Sequence, residues 1–446
     1  MSNHFRFKKT LAAAALAAAV VSTSGVVVAD EVKPGTVPAA KPATPAPAGP
    51  PASLPPKPDF VTASADKGFS IQSGDGAFQL KLRAYLQADG RFFLEDPPSG
   101  DGTEFLMRRV RPVIEATVYK YYKFRVMPDF AGSNTSLQDA YAETAFNFPI
   151  NGRIGKFKAP VGLERLQSAT ALLFPERGLP TNLVPNRDLG VQLQGVLGEG
   201  LFEYQAGVFD GTPDGGSVNN DVDDSKEFAG RVWFRPLKSL GATFAELGVG
   251  FAGTYGKKSG ETTAGNSQVA SYRTSGQQNF FSYGATVVAD GTQFRLAPQA
   301  YWYVGPFGLL TEYVRSSQDV AVPGDDATID NDAWQVAGSW VVTGEANSYK
   351  GITPANNLSF DSGGLGALEV VARVGGLEVD GVAFPVFANP DTSAKEALNF
   401  GAGLNWHWNK SVKVSAAYEH TSFDGGATNG DRDDEDIVFT RVQLAF

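Results

Sequence analysis

The sequence predicts an all-β protein, a transmembrane antiparallel β-barrel of about 16 strands, on three observations. A segment typical of an export signal is followed by no apolar stretch long enough for a membrane-spanning helix. Apolar and polar residues alternate with a period of two in many segments, the first at 78–92 and the last at 437–446. Short and long connections alternate between these segments, which is typical of barrels that stand in a membrane.

The first 29 residues have the three parts of a secretory signal peptide. Arg6, Lys8 and Lys9 supply the positive charge, 11–21 is apolar, and small residues up to Ala29 provide a cleavage site. A retained membrane anchor is the alternative, but the apolar stretch is short and is followed by Ser and Gly. We therefore expect 1–29 to be removed and the protein to reach the bacterial outer membrane.

Residues 30–68 are predicted to be a periplasmic linker. Pro and Ala dominate 33–58, a composition that builds neither a hydrophobic core nor a strand ladder and that favours an extended spacer. No second linker and no helical period interrupt the rest of the chain. We therefore expect one barrel domain at 69–446.

Charge and cysteine content exclude several classes of function. The chain has 38 basic and 48 acidic residues, and removal of 1–29 would take away three basic residues and no acidic one. A protein this acidic is not expected to bind nucleic acid. The sequence contains no Cys, which excludes disulfides, thiolate catalysis and Cys-ligated metals.

Sixteen alternating segments are predicted to be strands, an even number that suits a barrel with both chain ends in the periplasm. They are 78–92, 104–118, 122–131, 136–148, 152–158, 188–198, 201–210, 226–235, 244–256, 293–304, 308–318, 332–343, 367–380, 397–408, 412–423 and 437–446. Long polar loops are predicted at 211–225, 319–331 and 424–436. Residues 257–292 are assigned to another loop, although their segment FFSYGATVV resembles a strand, and 344–366 to an unusually long turn.

Eight segments of the barrel domain, in order, resemble the phosphate-selective porin O and P family of outer-membrane channels. They are GAFQLKLRAYLQADGRFF, FLMRRVRPVIEA, LQDAYAETAF, GRIGKFKAPVGLERLQS, NRDLGVQLQG, YQAGVFDG, EFAGRVWFRPL and RLAPQAYWYVGPFGLLTEYV. The resemblance implies a trimeric sixteen-stranded barrel whose third extracellular loop folds inward and whose lumen arginines and lysines select anions. It implies inorganic phosphate or other small anions as partners, together with outer-membrane lipid or lipopolysaccharide, and no cofactor.

Side chains opposite the apolar face of each strand are predicted to face the lumen, where basic residues outnumber acidic ones. Arginine suits an anion path because its planar guanidinium donates paired hydrogen bonds to oxyanions. The pore-lining candidates are Lys81, Arg83, Arg91, Arg109, Arg111, Lys123, Arg125, Lys156, Lys158, Arg231, Arg235 and Arg295. By the same parity, Arg108 is predicted to face lipid near a rim.

The stretch 156–187 resembles the inward loop of that family. Its basic residues are Lys156, Lys158, Arg165, Arg177 and Arg187. The apolar residues around 172–174 are unlikely to remain in solvent, and packing them on the inner wall would narrow the lumen. We expect this loop to form the constriction.

Two other functions stay open at this point. A general porin of the same fold, without phosphate preference, would use the same lumen. A secreted β-rich carbohydrate-binding or hydrolytic protein would use carboxylate pairs such as Asp129 and Asp139. Catalysis by histidine is poorly supported, because only His407 and His420 remain after signal removal and neither is near a plausible nucleophile in sequence. The sequence therefore favours a passive channel with no catalytic or metal site.

Overall fold

The structure, a computed structural model, describes residues 59–64, 68–95, 103–146, 148–219, 223–241, 243–262 and 266–446. In these residues sixteen antiparallel strands form a closed barrel, and each overlaps one of the sixteen predicted segments. The predicted fold class is therefore confirmed. The predicted signal peptide and the proline-rich part of the predicted linker lie outside the described residues.

Each barrel strand pairs with the next strand in the barrel, and the last pairs with the first. In chain order the strands are β1 (Gln79–Phe93), β2 (Thr103–Val118), β3 (Tyr122–Asp129), β4 (Ser136–Thr144), β5 (Asn151–Phe157), β6 (Asp188–Leu197), β7 (Phe202–Phe209), β8 (Glu227–Phe234), β9 (Glu246–Ser259), β10 (Val288–Val304), β11 (Phe307–Val322), β12 (Asp325–Val341), β13 (Ala367–Glu378), β14 (Ala394–His407), β15 (Val412–Ala427) and β16 (Glu435–Ala445).

Two segments share one edge of β1. β16 pairs with its second half, from Ile437 opposite Phe93 to Ala445 opposite Tyr85. The beginning of β1 pairs instead with a hairpin formed by Phe60–Ser64 and Gly68–Gln72. The first hairpin strand lies inside the range predicted to be linker, because a five-residue strand shows too little alternation to be recognised in sequence.

The barrel wall is apolar outside and polar inside. On β1, Gln87, Asp89 and Arg91 are 0%, 3% and 6% exposed, whereas Leu80 and Leu82 are 38% and 46% exposed. This inverted burial suits a wall with acyl chains outside and water within. It contradicts the alternative of a soluble protein whose apolar faces pack between two sheets.

Connections are mostly short at one end of the barrel, here the turn end, and longer at the other, the loop end. The prediction of a long loop at 319–331 is wrong, because β11 and β12 continue through most of it and a two-residue turn joins them. Pro323 and Gly324 form that turn, and Gly324 has a φ of 95°, a conformation that favours glycine. The prediction failed because the outward-facing residues at the adjoining ends of β11 and β12 are polar, so the segment has the composition of a loop.

The segment FFSYGATVV lies in a loop, as predicted. Within the loop 260–287, Ser271–Arg273 and Asn279–Ser282 form a hairpin that is separate from the barrel sheet. A further two-residue strand, Gly430–Asp431, follows β15. The long turn predicted at 344–366 corresponds to the connection 342–366 between β12 and β13.

Helical structure in the described ranges is limited to short pieces. They are an α-helix at Leu163–Leu166 and 3₁₀ turns at Leu179–Leu183, Gly198–Gly200 and Gly381–Ala383. None of the helices found there is long and apolar enough to cross a membrane.

Candidate functional site

Residues 158–187, here called the inner loop, connect β5 to β6 and lie against the inner face of the barrel. They form hydrogen bonds with side chains of β1, β2 and β11–β16. Pro160 lacks the N–H group that a strand would need, and Gly162 then turns the chain with a φ of 80°. A Cβ atom on Gly162 would lie 2.9 Å from Val184 Cγ2, so the turn requires glycine.

A carboxylate on β11 fixes the start of the inner loop. Glu312 accepts hydrogen bonds from the backbone N–H groups of Leu163 and Glu164 at 2.6 and 3.2 Å. Gln335 on β12 donates to the carboxylates of Glu312 and Glu164 at 2.7 and 2.9 Å. Tyr349, from the long turn 342–366, donates to the Leu163 carbonyl at 2.6 Å. These contacts satisfy buried polar groups and hold the loop in one place.

The second half of the inner loop is held mainly through its backbone carbonyls. Asn405 on β14 and Lys413 on β15 donate to the carbonyls of Leu173 and Leu172, each at 2.9 Å. The Phe174 ring is buried, and the Arg373 guanidinium lies 4.5 Å from its centroid. The inner loop therefore occupies the half of the lumen next to β11–β16.

The other half of the lumen is an open cavity of about 1640 Å³. Strands β1–β5 and β7–β10, the inner loop, and residues of five other connections line it, and among the described residues none of β11–β16 does. Its basic lining residues are Arg91, Arg108, Arg109, Arg111, Arg125, Arg153, Lys158, Arg165, Arg177, Arg187, Arg231, Arg235, Arg273 and Lys350. The acidic ones are Asp129, Asp139, Glu176, Glu203, Asp214 and Glu246. The cavity surface is thus strongly basic in a chain of net charge −10.

Arginines on the barrel wall are paired with carboxylates of the same wall. Arg111 binds Asp129 at 2.6 Å. Arg125 contacts Glu115 and binds Asp139 at 3.1 Å. Such pairs keep much of the wall charge compensated, so these residues are weaker sites for a passing anion than unpaired cations would be.

Three cations of the inner loop are different, and we call Lys158, Arg165 and Arg177 the loop cations. Within the described residues they form no ion pair, and they donate to backbone carbonyls of the loop itself. Burial lowers the pKa of Lys158 well below its usual value, and repulsion from Arg177, Arg187 and Arg165 lowers it further. Three basic side chains without a carboxylate partner thus lie together on the cavity surface.

Seven of the twelve sequence-predicted residues line the cavity. They are Arg91, Arg109, Arg111, Arg125, Lys158, Arg231 and Arg235. The other five, Lys81, Arg83, Lys123, Lys156 and Arg295, are absent from its lining. Arg295 is fully buried between Asp214 at 2.6 Å and Glu227 at 2.8 Å, and Lys156 is buried against Asn219.

The prediction that Arg108 faces lipid is wrong. A β-bulge places Gln87 opposite Arg109 and Ala88 opposite Met107, which leaves Arg108 as the extra residue of β2. Its guanidinium binds both oxygens of Glu176, at 2.5 and 3.0 Å, inside the barrel. A strict period of two that is carried through the insertion assigns Arg108 to the wrong face, because the register on the two sides of the bulge differs by one residue.

Sequence reasoning also missed Arg153, Arg273 and Lys350 as lining residues. Arg153 lies in β5, where Gly152 and Gly155 obscure the alternation, although the opposite charge of Glu143 on the neighbouring strand was available as a signal. Arg273 and Lys350 lie in connections, which carry no periodic pattern. In the described part of the chain, no group of three or more His, Cys, Asp or Glu is arranged to hold a metal ion.

Comparisons with known proteins agree with this geometry. The family model described as phosphate-selective porin O and P matches residues 78–446. Porin O of Pseudomonas aeruginosa is 26% identical over an alignment of 424 positions that covers 85% of this chain and 91% of that protein.

Two solved structures are similar in fold. The outer-membrane channel DcaP of Acinetobacter baumannii superposes with a TM-score of 0.55 at 12% identity, covering 83% of this chain and 98% of that one. An anion-selective porin from Comamonas acidovorans gives 0.53 at 13% identity, covering 83% and 100%. At such identities the two structures support the barrel fold alone.

Proposed function

The chain belongs to the phosphate-selective porin O and P family, and from that premise we propose that it passes phosphate and other small anions by passive diffusion along its lumen arginines and lysines. The family and the barrel fold indicate an outer-membrane porin and not an enzyme. The turn end then faces the periplasm and the loop end faces outward.

The observation that carries the proposal is the charge of the cavity surface. Fourteen Arg and Lys side chains line it against six Asp and Glu, although acidic residues exceed basic ones in the whole chain. A narrow aqueous path with low-dielectric walls concentrates ions of the opposite sign. The arrangement thus favours anions over cations.

The distribution of arginines along the cavity is better suited to passing an anion than to binding it tightly at one site. Guanidiniums on β1–β3, β5, β8 and the inner loop offer paired hydrogen bonds at successive points, so a partly dehydrated oxyanion exchanges one set of donors for another. Several weak sites allow both entry and release, as conduction requires. Lys81, Arg83, Lys123, Lys156 and Arg295 are not part of the proposed path.

Strand length supports the homotrimer that the family resemblance implies. β3, β4 and β5 have 8, 9 and 7 residues, whereas β10, β11 and β12 have 17, 16 and 17. A tilted strand needs about 9–11 residues to cross the hydrocarbon layer. We propose that neighbouring protomers cover the side of the barrel formed by the short strands β3–β5. Lipid and lipopolysaccharide then contact the side formed by the long strands β10–β12. Residues 1–29 are proposed to be a cleaved signal peptide.

Planar-bilayer recording of the purified protein tests the channel function. In a KCl gradient the reversal potential should report anion selectivity, and inorganic phosphate should block the chloride current. Cation selectivity would overturn the proposal. Anion selectivity without block by phosphate would identify a general anion porin.

A further inference from the structure

Glu176 of the inner loop lies among four arginines of the barrel wall. Its carboxylate accepts hydrogen bonds from Arg108 at 2.5 and 3.0 Å and from Arg441 at 3.2 Å. Arg91 and Arg109 approach its oxygens at 3.8 and 3.6 Å. The side chain of Glu176 is only 5% exposed. One carboxylate is thus enclosed by guanidiniums from β1, β2 and β16.

The donors around Glu176 outnumber the acceptors that it provides. Arg91 and Arg109 are at ion-pair distance from its carboxylate but beyond hydrogen-bond distance. Within the described residues, the buried Nε of Arg91 has no hydrogen-bond partner. A carboxylate presents two oxygens in a plane, whereas a tetrahedral oxyanion presents four oxygens. The site therefore fits an oxyanion such as phosphate better than it fits its present occupant.

The local charge also exceeds what the protein itself neutralises. Asp89 binds Arg441 at 2.6 Å and Glu104 binds Arg91 at 2.8 Å, so three carboxylates including Glu176 face four guanidiniums. Burial alone would raise the pKa of Glu176, but Arg108, Arg109 and Arg441 outweigh it and hold that pKa well below the usual range. Glu176 is therefore anionic at neutral pH, and a positive excess remains with it in place.

The site is open to the cavity. Glu176, Arg91, Arg108 and Arg109 are all part of the cavity lining. The backbone carbonyl of Glu176 is held by Arg373 at 3.0 Å, which fixes the main chain independently of the carboxylate. The side chain can thus leave the arginines by rotation while the loop stays in place.

We propose that Arg91, Arg108, Arg109 and Arg441 form an oxyanion subsite in which Glu176 is a tethered anion that phosphate displaces during passage. The inference rests on the proposed function, because phosphate must enter the cavity to reach the subsite. Four guanidiniums alone would hold a divalent oxyanion too tightly for rapid release. A competing carboxylate at high effective concentration weakens the net affinity, as a conducting site requires.

The test is block of the chloride current by inorganic phosphate in single channels. Glu176→Gln removes the competing charge and keeps the shape, so the half-blocking phosphate concentration should fall at least about ten-fold. Glu176→Asp keeps the charge and should stay within about two-fold of the wild type. Glu369→Gln is the matched control, because it removes one buried carboxylate that lies outside the cavity lining and whose partners, Asn405 and His407, do not line the cavity either.

A second variant keeps the test decisive if Glu176→Gln fails to form a barrel. Arg108→Gln removes the donor closest to Glu176 and should raise the half-blocking concentration at least about five-fold. Equal effects of Glu176→Gln and Glu369→Gln, or unchanged block in Arg108→Gln, would overturn the subsite. The wild-type reversal potential in KCl alone reports anion selectivity separately, so loss of the subsite inference leaves the proposed function standing.

Discussion

Lys158 Nζ and Arg177 Nη2 donate to the same carbonyl oxygen, that of Gln167, at 3.0 and 2.9 Å. Two cations thus lie within about 6 Å of each other with a neutral dipole between them. Like charges at this distance repel in a protein environment, and within the described residues neither forms an ion pair with a carboxylate. An anion that enters the cavity relieves this repulsion, so the pair is expected to attract anions.

Neutralising the pair should weaken anion selectivity. At an effective dielectric constant of about 20, a charge about 5 Å from a permeating ion contributes about 3 kcal/mol before screening by salt. We expect Arg177→Gln to lower the anion-to-cation permeability ratio at least about five-fold, as measured by reversal potential in a KCl gradient. The control is Lys350→Gln on the long turn, where a smaller effect is expected because Lys350 is exposed to solvent. Equal effects would show that only the total lumen charge matters.

Selectivity should also depend on alkaline pH. Burial and the neighbouring Arg177 lower the pKa of Lys158, so this amine loses its proton at a lower pH than an ordinary lysine does. Anion selectivity should therefore fall as the pH is raised, and it should do so below the pH at which an ordinary lysine titrates. Lys158→Arg keeps the charge and should flatten that pH dependence. An identical decline in both proteins would assign the titration to another group.

Removal of the inner loop should widen the channel. Deletion of residues 163–180 takes away the segment that fills the lumen beside β11–β16, so single-channel conductance should rise at least about two-fold. The matched control is deletion of 355–362 in the long turn, which lines no part of the cavity. Unchanged conductance in the first deletion would remove the loop from the conduction path.

Arg295 should matter for stability and not for selectivity. Its guanidinium is fully buried between Asp214 and Glu227, and loss of the cation would leave two buried carboxylates short of a partner. Arg295→Met should destabilise the barrel by about 3–5 kcal/mol, measured as a lower unfolding temperature in detergent. Arg315→Gln, in an outward-facing pair with Asp332, should cost less than about 1 kcal/mol. An altered reversal potential in the Arg295 variant would contradict this prediction and show that Arg295 contributes to ion selectivity.

The barrel was predictable because each wall strand separates two media. The alternation from Phe78 to Phe92 marks one face for lipid and one for water, and this signal recurs in all sixteen strands. Strand ends were less predictable, as at 319–331, because side chains above the hydrocarbon layer are polar on both faces. Outside the layer, a strand and a loop have the same composition.

The lumen was predictable only in part, because the alternation of a strand shows which side of the wall a residue faces but not which residues it pairs with. Arg111 and Arg295 both face inward by parity, yet one lines the cavity and the other is enclosed by carboxylates. The bulge at Arg108 reversed the facing of β2 from Thr103 to Arg108 relative to the parity of the rest of the strand. The positions of Arg165 and Arg177 depend on the path of the inner loop, which long-range contacts to Glu312, far away in sequence, determine.

The hairpin Phe60–Ser64 and Gly68–Gln72 has a consequence for the seam of the barrel. Main-chain groups of Gln79–Leu82 are paired by this hairpin, and those of Ala84 by Phe446 at 3.0 and 3.2 Å. The two extremities of the folded chain therefore meet end to end along a single strand. A shortened protein that begins at residue 59 keeps this seam intact, whereas one that begins at residue 73 leaves a row of amide and carbonyl groups unpaired at the turn end of the barrel.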